Sequence, residues 1–144
     1  MNLSPNRQHF QRLAFLALLI TVHVGCGTPS DLDGTALFRV RACKGSGSGE
    51  IFHIQLSDPR TIAEADALVG VGQRKIPVGR LVAGSGGFNA PWSWHMDPST
   101  VTLADAAIEV CDGCPSFVEN ELPYWLNTVK TYCPWSAEIL AREK

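Results

Sequence analysis

The side chains best suited to chemistry are concentrated in one stretch, GFNAPWSWHMDP at 87–98. If this stretch is a strand, Ser93, His95 and Asp97 share one face, and they are the residue types of a hydrolase triad. Neighbours two residues apart on a strand are about 7 Å apart, which is too far for the hydrogen-bonded relay of a triad. His95 and Asp97 are therefore candidate catalytic residues only if other parts of the chain supply their partners.

Two tryptophans of the same stretch, Trp92 and Trp94, have the opposite strand parity. They are compatible with a core in which Trp125 packs against them, and also with an exposed aromatic platform for a sugar or peptide. The amide of Asn89 is suited to bracing the preceding loop. The predicted ligand-binding set is Asn89, Trp92, Trp94, His95 and Asp97.

No cofactor or metal ion is predicted from the remaining polar residues. The glycine-rich segment 44–49 joins two predicted strands, whereas a phosphate-binding loop joins a strand to a helix. A metal site at His53, His95 and Asp97 is an alternative, but the acidic residues are scattered along the sequence. Lys and Arg number 12 against 14 Asp and Glu, without a basic stripe, which argues against nucleic-acid binding.

The N-terminus has the pattern of an export signal. Arg7 and Arg12 precede an apolar run at 13–24, which as a helix would span about 18 Å and is too short to cross a bilayer core of about 30 Å. Residues 1–25 are therefore predicted to be a signal peptide. Cys26 follows in VGCG, which resembles a bacterial lipobox, and 26–35 would be a lipid-anchored tether. Ordinary secretion after cleavage is the alternative.

Four cysteines remain after Cys26: Cys43, Cys111, Cys114 and Cys133. In an exported protein, four cysteines are typical of two disulfide bonds, for which three pairings exist. CDGC at 111–114 also has the spacing of a redox motif, and a zinc site built from cysteines and histidines is a further alternative.

Hydrophobic periodicity predicts an α+β fold: a small antiparallel sheet with two main helices packed on one face. One helix lies in 57–72, where Asp58 and Pro59 begin it. The other is predicted over 115–133, with Ser116 and Glu119 in the spacing of a capping box and a kink at Pro123. The predicted strands are 36–43, 49–58, 75–84, 92–97 and the latter part of 101–111.

Three motifs within 81–136 resemble a family of small exported proteins, mostly bacterial, related to the N-terminal domain of a cyclic-AMP-inducible slime-mould protein. They are GGFNAPWSWHMDP, IEVCDGCPSFVE and YWLNTVKTYCPWS. The resemblance implies a single domain over 36–136, followed by a charged tail at 137–144. It also implies a disulfide between Cys111 and Cys133. Cys43 and Cys114 are additional to the family pattern and would form a second bridge.

The sequence thus predicts an exported, lipid-anchored, non-catalytic binding or envelope-interaction domain, monomeric and disulfide-braced. Its expected partners are the membrane, through lipid on Cys26, and a protein, peptide or glycan ligand. Its expected location is the outer membrane or cell surface, or alternatively the medium after secretion. Two other functions are compatible with the residues: an enzyme centred on His95, and an inhibitor of secreted hydrolases that uses the loop at 84–91.

Overall fold

A computed structural model describes residues 34–72 and 75–144. The predicted signal peptide, Cys26 and most of the predicted tether lie outside these residues. In chain order the elements are β1 (Ala36–Ala42), β2 (Glu50–Leu56), α1 (Pro59–Leu68), β3 (Ile76–Ala83), β4 (Trp94–Met96), β5 (Thr102–Ala104), α2 (Pro115–Asn120), α3 (Leu122–Tyr124), a π-helical turn (Trp125–Val129), β6 (Thr131–Tyr132) and β7 (Glu138–Arg142).

The first sheet is three-stranded and antiparallel, in the order β2-β1-β7. Alternation along β1 and β2 places their apolar residues on one buried face, as the sequence predicts. The segment 137–144 is not a tail, however, because β7 pairs with β1. Ile139 is buried, and Glu138 accepts a hydrogen bond from Arg41 at 2.7 Å.

The second sheet is built around β3, so the fold has two antiparallel sheets rather than one. β4 pairs with 81–83 of β3, β5 pairs with 76–78, and β6 pairs with the intervening residues 79 and 80. The strand predicted in the latter part of 101–111 is wrong. The chain forms β5 earlier, and a 3-10 turn at Glu109–Cys111 replaces the predicted strand.

Aromatic rings fill the space between the two sheets. Trp94 of the second sheet lies 6.0 Å from Phe52 of the first and 5.2 Å from Tyr132, measured between ring centroids. All three side chains have no exposed surface, and Trp125 packs edge-on against Tyr132. The sheets therefore share one core, with these rings at its centre.

The two predicted helices have different outcomes. Asp58 begins α1 by accepting from the Thr61 backbone N–H at 2.8 Å, with Pro59 at the first helical position, as predicted. The predicted second helix is divided into α2, α3 and the π-helical turn, and 131–132 is a strand. Its predicted capping box is also wrong, because Cys114 is the N-cap and lacks a side-chain cap.

A distant residue takes over the role predicted for the capping box. The Glu50 carboxylate accepts from both the backbone N–H and the hydroxyl of Ser116, each at 2.7 Å. Glu119 accepts instead from the Ser93 backbone N–H at 2.9 Å. The first turn of α2 is therefore tied to β2 and to the segment before β4, rather than capped locally.

Two disulfide bonds join Cys43 to Cys114 and Cys111 to Cys133. They are the same pairs that the resemblance implied, and neither uses the CDGC spacing as a redox pair. The first ties the end of β1 to the start of α2. The second is buried and ties the 3-10 turn to the residue after β6.

Candidate functional site

Asn89 lies at the centre of the stretch that carries the candidate residues, and its side chain has no exposed surface. Its Oδ1 accepts from the His53 backbone N–H at 2.7 Å, and its Nδ2 donates to the Trp94 carbonyl at 2.9 Å. His53 belongs to β2 and Trp94 to β4. One amide therefore joins the edge strand of the first sheet to the second sheet.

Trp92 makes a second contact with the same edge of β2. Its indole Nε1 donates to the Ile51 carbonyl at 2.8 Å, and its half-buried ring lies 6.1 Å from the ring of Trp94. The edge strand of a sheet presents unpaired backbone groups that can recruit another chain. On β2, two of these groups are instead satisfied by the side chains of Asn89 and Trp92.

The interpretation of the tryptophans as an exposed platform is wrong. Trp94 is fully buried, packed against Phe52 and Tyr132, and a ring without exposed surface cannot stack on a ligand. The same burial excludes a surface role for Asn89, whose amide braces the loop. Trp92 is half-buried, and the one polar atom of its side chain is used within the fold.

His95 and Asp97 have separate partners. His95 Nδ1 donates to the Gly84 carbonyl at 2.6 Å, and its ring meets the edge of Phe88 at 5.5 Å. Asp97 forms an ion pair with Arg80 and accepts from both the hydroxyl and the backbone N–H of Ser99. Ser93, the third member of the row, donates its backbone N–H to Glu119. The row is therefore not assembled into a relay.

Asp97 also begins a turn that lets β4 and β5 pair with successive parts of β3. Its backbone N–H donates to the Arg80 carbonyl at 2.8 Å, and its own carbonyl accepts from the Thr100 hydroxyl at 2.9 Å. The same hydroxyl accepts from the Arg80 backbone N–H at 3.0 Å. The turn thus satisfies both backbone groups of Arg80 where the pairing is interrupted.

The electrostatics of Asp97 follow from these contacts. The Arg80 guanidinium, together with the hydroxyl and backbone N–H of Ser99, lowers the pKa of Asp97 to about 2. The carboxylate is therefore ionised at neutral pH and does not accept a proton there, as a general base near its working pH would.

A different surface was missed by reasoning from the sequence. Residues 105–110, which we call the strap, cross from β5 toward β6 without regular pairing, and Ile108 and Val110 are 69% and 59% exposed. Beside the strap lies a groove of about 310 Å³. It is lined by Val78, Thr102, Ala104, Ala106, Ala107, Ile108, Val110, Cys111, Val129 and Thr131.

The sequence did contain a signal for this surface. Ala106, Ile108 and Val110 alternate with other residues, and this pattern predicted a half-buried strand. Because Cys111 is held by Cys133, and its carbonyl accepts from the Cys133 backbone N–H at 2.8 Å, the segment ends in a turn instead. The apolar side chains that a strand would have buried are left exposed.

Two further searches of the described residues concern metal and membrane. Within 34–72 and 75–144, no three His, Cys, Asp or Glu side chains converge where they could hold a metal ion. No helix in this part of the chain has the length and apolar character needed to cross a membrane.

Residues 34–144 match the family model built on the N-terminal domain of the slime-mould protein to which the three motifs pointed. The chain belongs to this family. The match extends the boundaries expected from the resemblance through β7, in agreement with the pairing of β7 with β1. No curated protein and no solved structure matches the chain. In this member of the family, the motif around Asn89 and Trp94 therefore has a role in the fold that its contacts explain.

Replacing Asn89 tests that role. Asn89→Ala leaves the His53 N–H and the Trp94 carbonyl without their partner, and we expect the free energy of unfolding to fall by about 2 to 4 kcal/mol. Urea denaturation measures this loss. The control is Asn127→Ala, which removes an exposed amide that donates to the Pro123 carbonyl. Equal, small losses in both variants would contradict the bridging role of Asn89.

Replacing Asp97 tests the ion pair through pH. The pKa of Asp97 lies below its ordinary value of 3.8, so its contribution to stability is present above about pH 4 and is lost as the pH falls toward 2. In Asp97→Asn, we expect a smaller fall in the melting temperature over this interval than in the native chain. Asp105→Asn removes an exposed charge as a control. Parallel curves for the native chain and Asp97→Asn would contradict the assignment.

Proposed function

We propose that this chain is an exported, lipid-anchored, non-catalytic binding domain that takes its ligand at the strap. The exposure of Ile108 and Val110 beside an apolar groove is the observation that carries the binding role. Apolar side chains that a fold leaves exposed beside a concave surface are typical of interaction sites. The anchor is proposed from the sequence alone, from the apolar leader and Cys26.

The contacts of the candidate residues favour binding over catalysis. His95 donates to a backbone carbonyl and Asp97 is paired with Arg80, so both side chains contribute to the fold. A general base also needs a pKa near its working pH, and that of Asp97 is about 2. The polar row therefore gives little support to an enzyme centred on His95.

The loop at 84–91 gives little support to an inhibitor of secreted hydrolases. An inhibitory loop must present its centre to the enzyme, whereas here Asn89 is fully buried and Phe88 packs on His95. The Ser85 carbonyl accepts from the backbone N–H groups of both residues, which folds the loop onto the domain. The strap is the more accessible surface.

The anchor is tested by lipid labelling in cells. In a bacterial host that expresses the full chain, we expect an alkyne-tagged fatty acid to label the protein, and Cys26→Ala to abolish the label. The double variant Cys43→Ala, Cys114→Ala is the control and should retain it, because those cysteines form a disulfide within the domain. A label that persists in Cys26→Ala would contradict lipidation at this residue.

The binding surface is tested by photo-crosslinking in the same cells. A photoreactive residue is placed at Val110 of the strap or at Phe117 of α2, two positions that are each 59% exposed. Since exposure is matched, collision alone should give equal yields. We expect the adduct yield at 110 to exceed that at 117 by about fivefold or more, as a specific interface concentrates contacts on one patch. Equal yields would contradict a binding site at the strap.

A further inference from the structure

The backbone of the strap offers hydrogen-bonding groups that the fold leaves unused. In the described part of the chain, the backbone N–H and C=O groups of Ala106 and Ala107 make no hydrogen bond. Ile108 follows with extended dihedral angles, φ −77° and ψ 148°. An exposed, extended backbone with free donors and acceptors can pair with an added strand.

The groove beside the strap offers the apolar part of such a site. Val78 and Val129 line it from the body of the domain, and Ile108 and Val110 line it from the strap. The threonines of β5 and β6 add hydroxyl groups, and its lining contains no charged residue. Its volume of about 310 Å³ is at the lower end of the range for ligand pockets, enough for a few aliphatic side chains.

The charge of the strap indicates the sign of the partner. Glu109 lies between Ile108 and Val110, is exposed, and has no side-chain partner among the described residues. Asp105, the other ionisable residue of the strap, is paired with Lys75 at 2.8 Å. Removal of residues 1–25 would also leave ten basic and fourteen acidic residues in the chain. A partner with positive charge next to its apolar residues complements this surface.

We infer that the strap binds an extended peptide segment in which apolar residues alternate with lysine or arginine. The peptide backbone pairs with Ala106 and Ala107, its apolar side chains enter the groove, and a basic side chain pairs with Glu109. Alternation separates apolar and basic side chains onto the two sides of the added strand. This inference rests on the proposed function and names the chemistry of its ligand.

A membrane surface fits the same patch less well. Insertion of Ile108 and Val110 into lipid would carry Glu109 with them, and a carboxylate is costly to move into the apolar part of a bilayer. The anionic headgroups of many membranes would also repel the two acidic residues of the strap. A peptide, by contrast, can present a cation to Glu109.

The test uses protein purified from cells that express the full sequence, and three fluorescent nonapeptides. Their sequences are SVKVKVKVS, SVSVSVSVS and SVEVEVEVS, which differ only in the residues at three alternating positions. By fluorescence anisotropy at low salt, we expect the lysine peptide to bind about tenfold or more tightly than the glutamate peptide. Glu109→Lys should reverse this preference.

Substitutions separate the groove from other exposed apolar side chains. Val110→Ser and Ile108→Ser should each weaken binding of the lysine peptide by about fivefold or more, because they remove apolar contacts. Phe117→Ser changes a side chain of the same exposure as Val110 outside the groove, and should bind as the native chain does. All three positions are exposed, so these variants are expected to fold.

Three results would overturn the inference. One is equal binding of the three peptides to the native chain, and another is unchanged binding by Val110→Ser. The third is failure to bind the lysine peptide while phosphatidylcholine vesicles retain the native chain and not Val110→Ser, which would assign the patch to lipid. If the crosslinking bias toward 110 persists while the lysine peptide fails, the peptide chemistry is wrong and the proposed function stands. Loss of that bias would contradict the binding role itself.

Discussion

The structure depends on how the two sheets are held together, and a single buried amide is central to it. Asn89 connects the backbone of β2 to the backbone of β4, and its side chain satisfies one group on each strand. Below this bridge, Phe52, Trp94 and Tyr132 pack between the sheets. A buried hydrogen-bonding group is costly when it loses its partner, so the amide fixes the relative position of the sheets more specifically than apolar packing alone.

This constraint explains why so many polar and aromatic residues are found in one stretch. Asn89 and Trp92 satisfy the unpaired edge of β2, His95 holds the Gly84 carbonyl, and Asp97 organises the turn between β4 and β5. Each of these contacts solves a backbone problem created by joining two small sheets. A motif dense in side chains with chemical potential therefore acts here as a fold determinant, and the family match over 34–144 agrees with its presence in a whole domain.

The same economy of strands leaves the opposite end of β3 open. The strap cannot form a regular strand because Cys111 is fixed by Cys133, so its apolar side chains and two of its peptide groups stay exposed. The buried disulfide thus has two effects: it ties the chain to β6, and it holds an accessible apolar segment in place. A preorganised surface loses less conformational entropy on binding than a free loop does, which suits the strap to recognition.

The sequence by itself determined the α+β class, the strands β1 and β2, the start of α1 and the shared strand parity of Trp92 and Trp94. These features follow from periods of two or 3.6 residues and from local caps, which short windows reveal. It could not determine the pairing of β7 with β1, the capping of α2 by Glu50, or the partners of His95 and Asp97. Those contacts join residues far apart in the chain, Ser116 and Glu50 among them, and only the tertiary structure brought them together. For the same reason, Ile108 and Val110 had the pattern of a strand, and only the packing around Cys111 decided that they stay exposed.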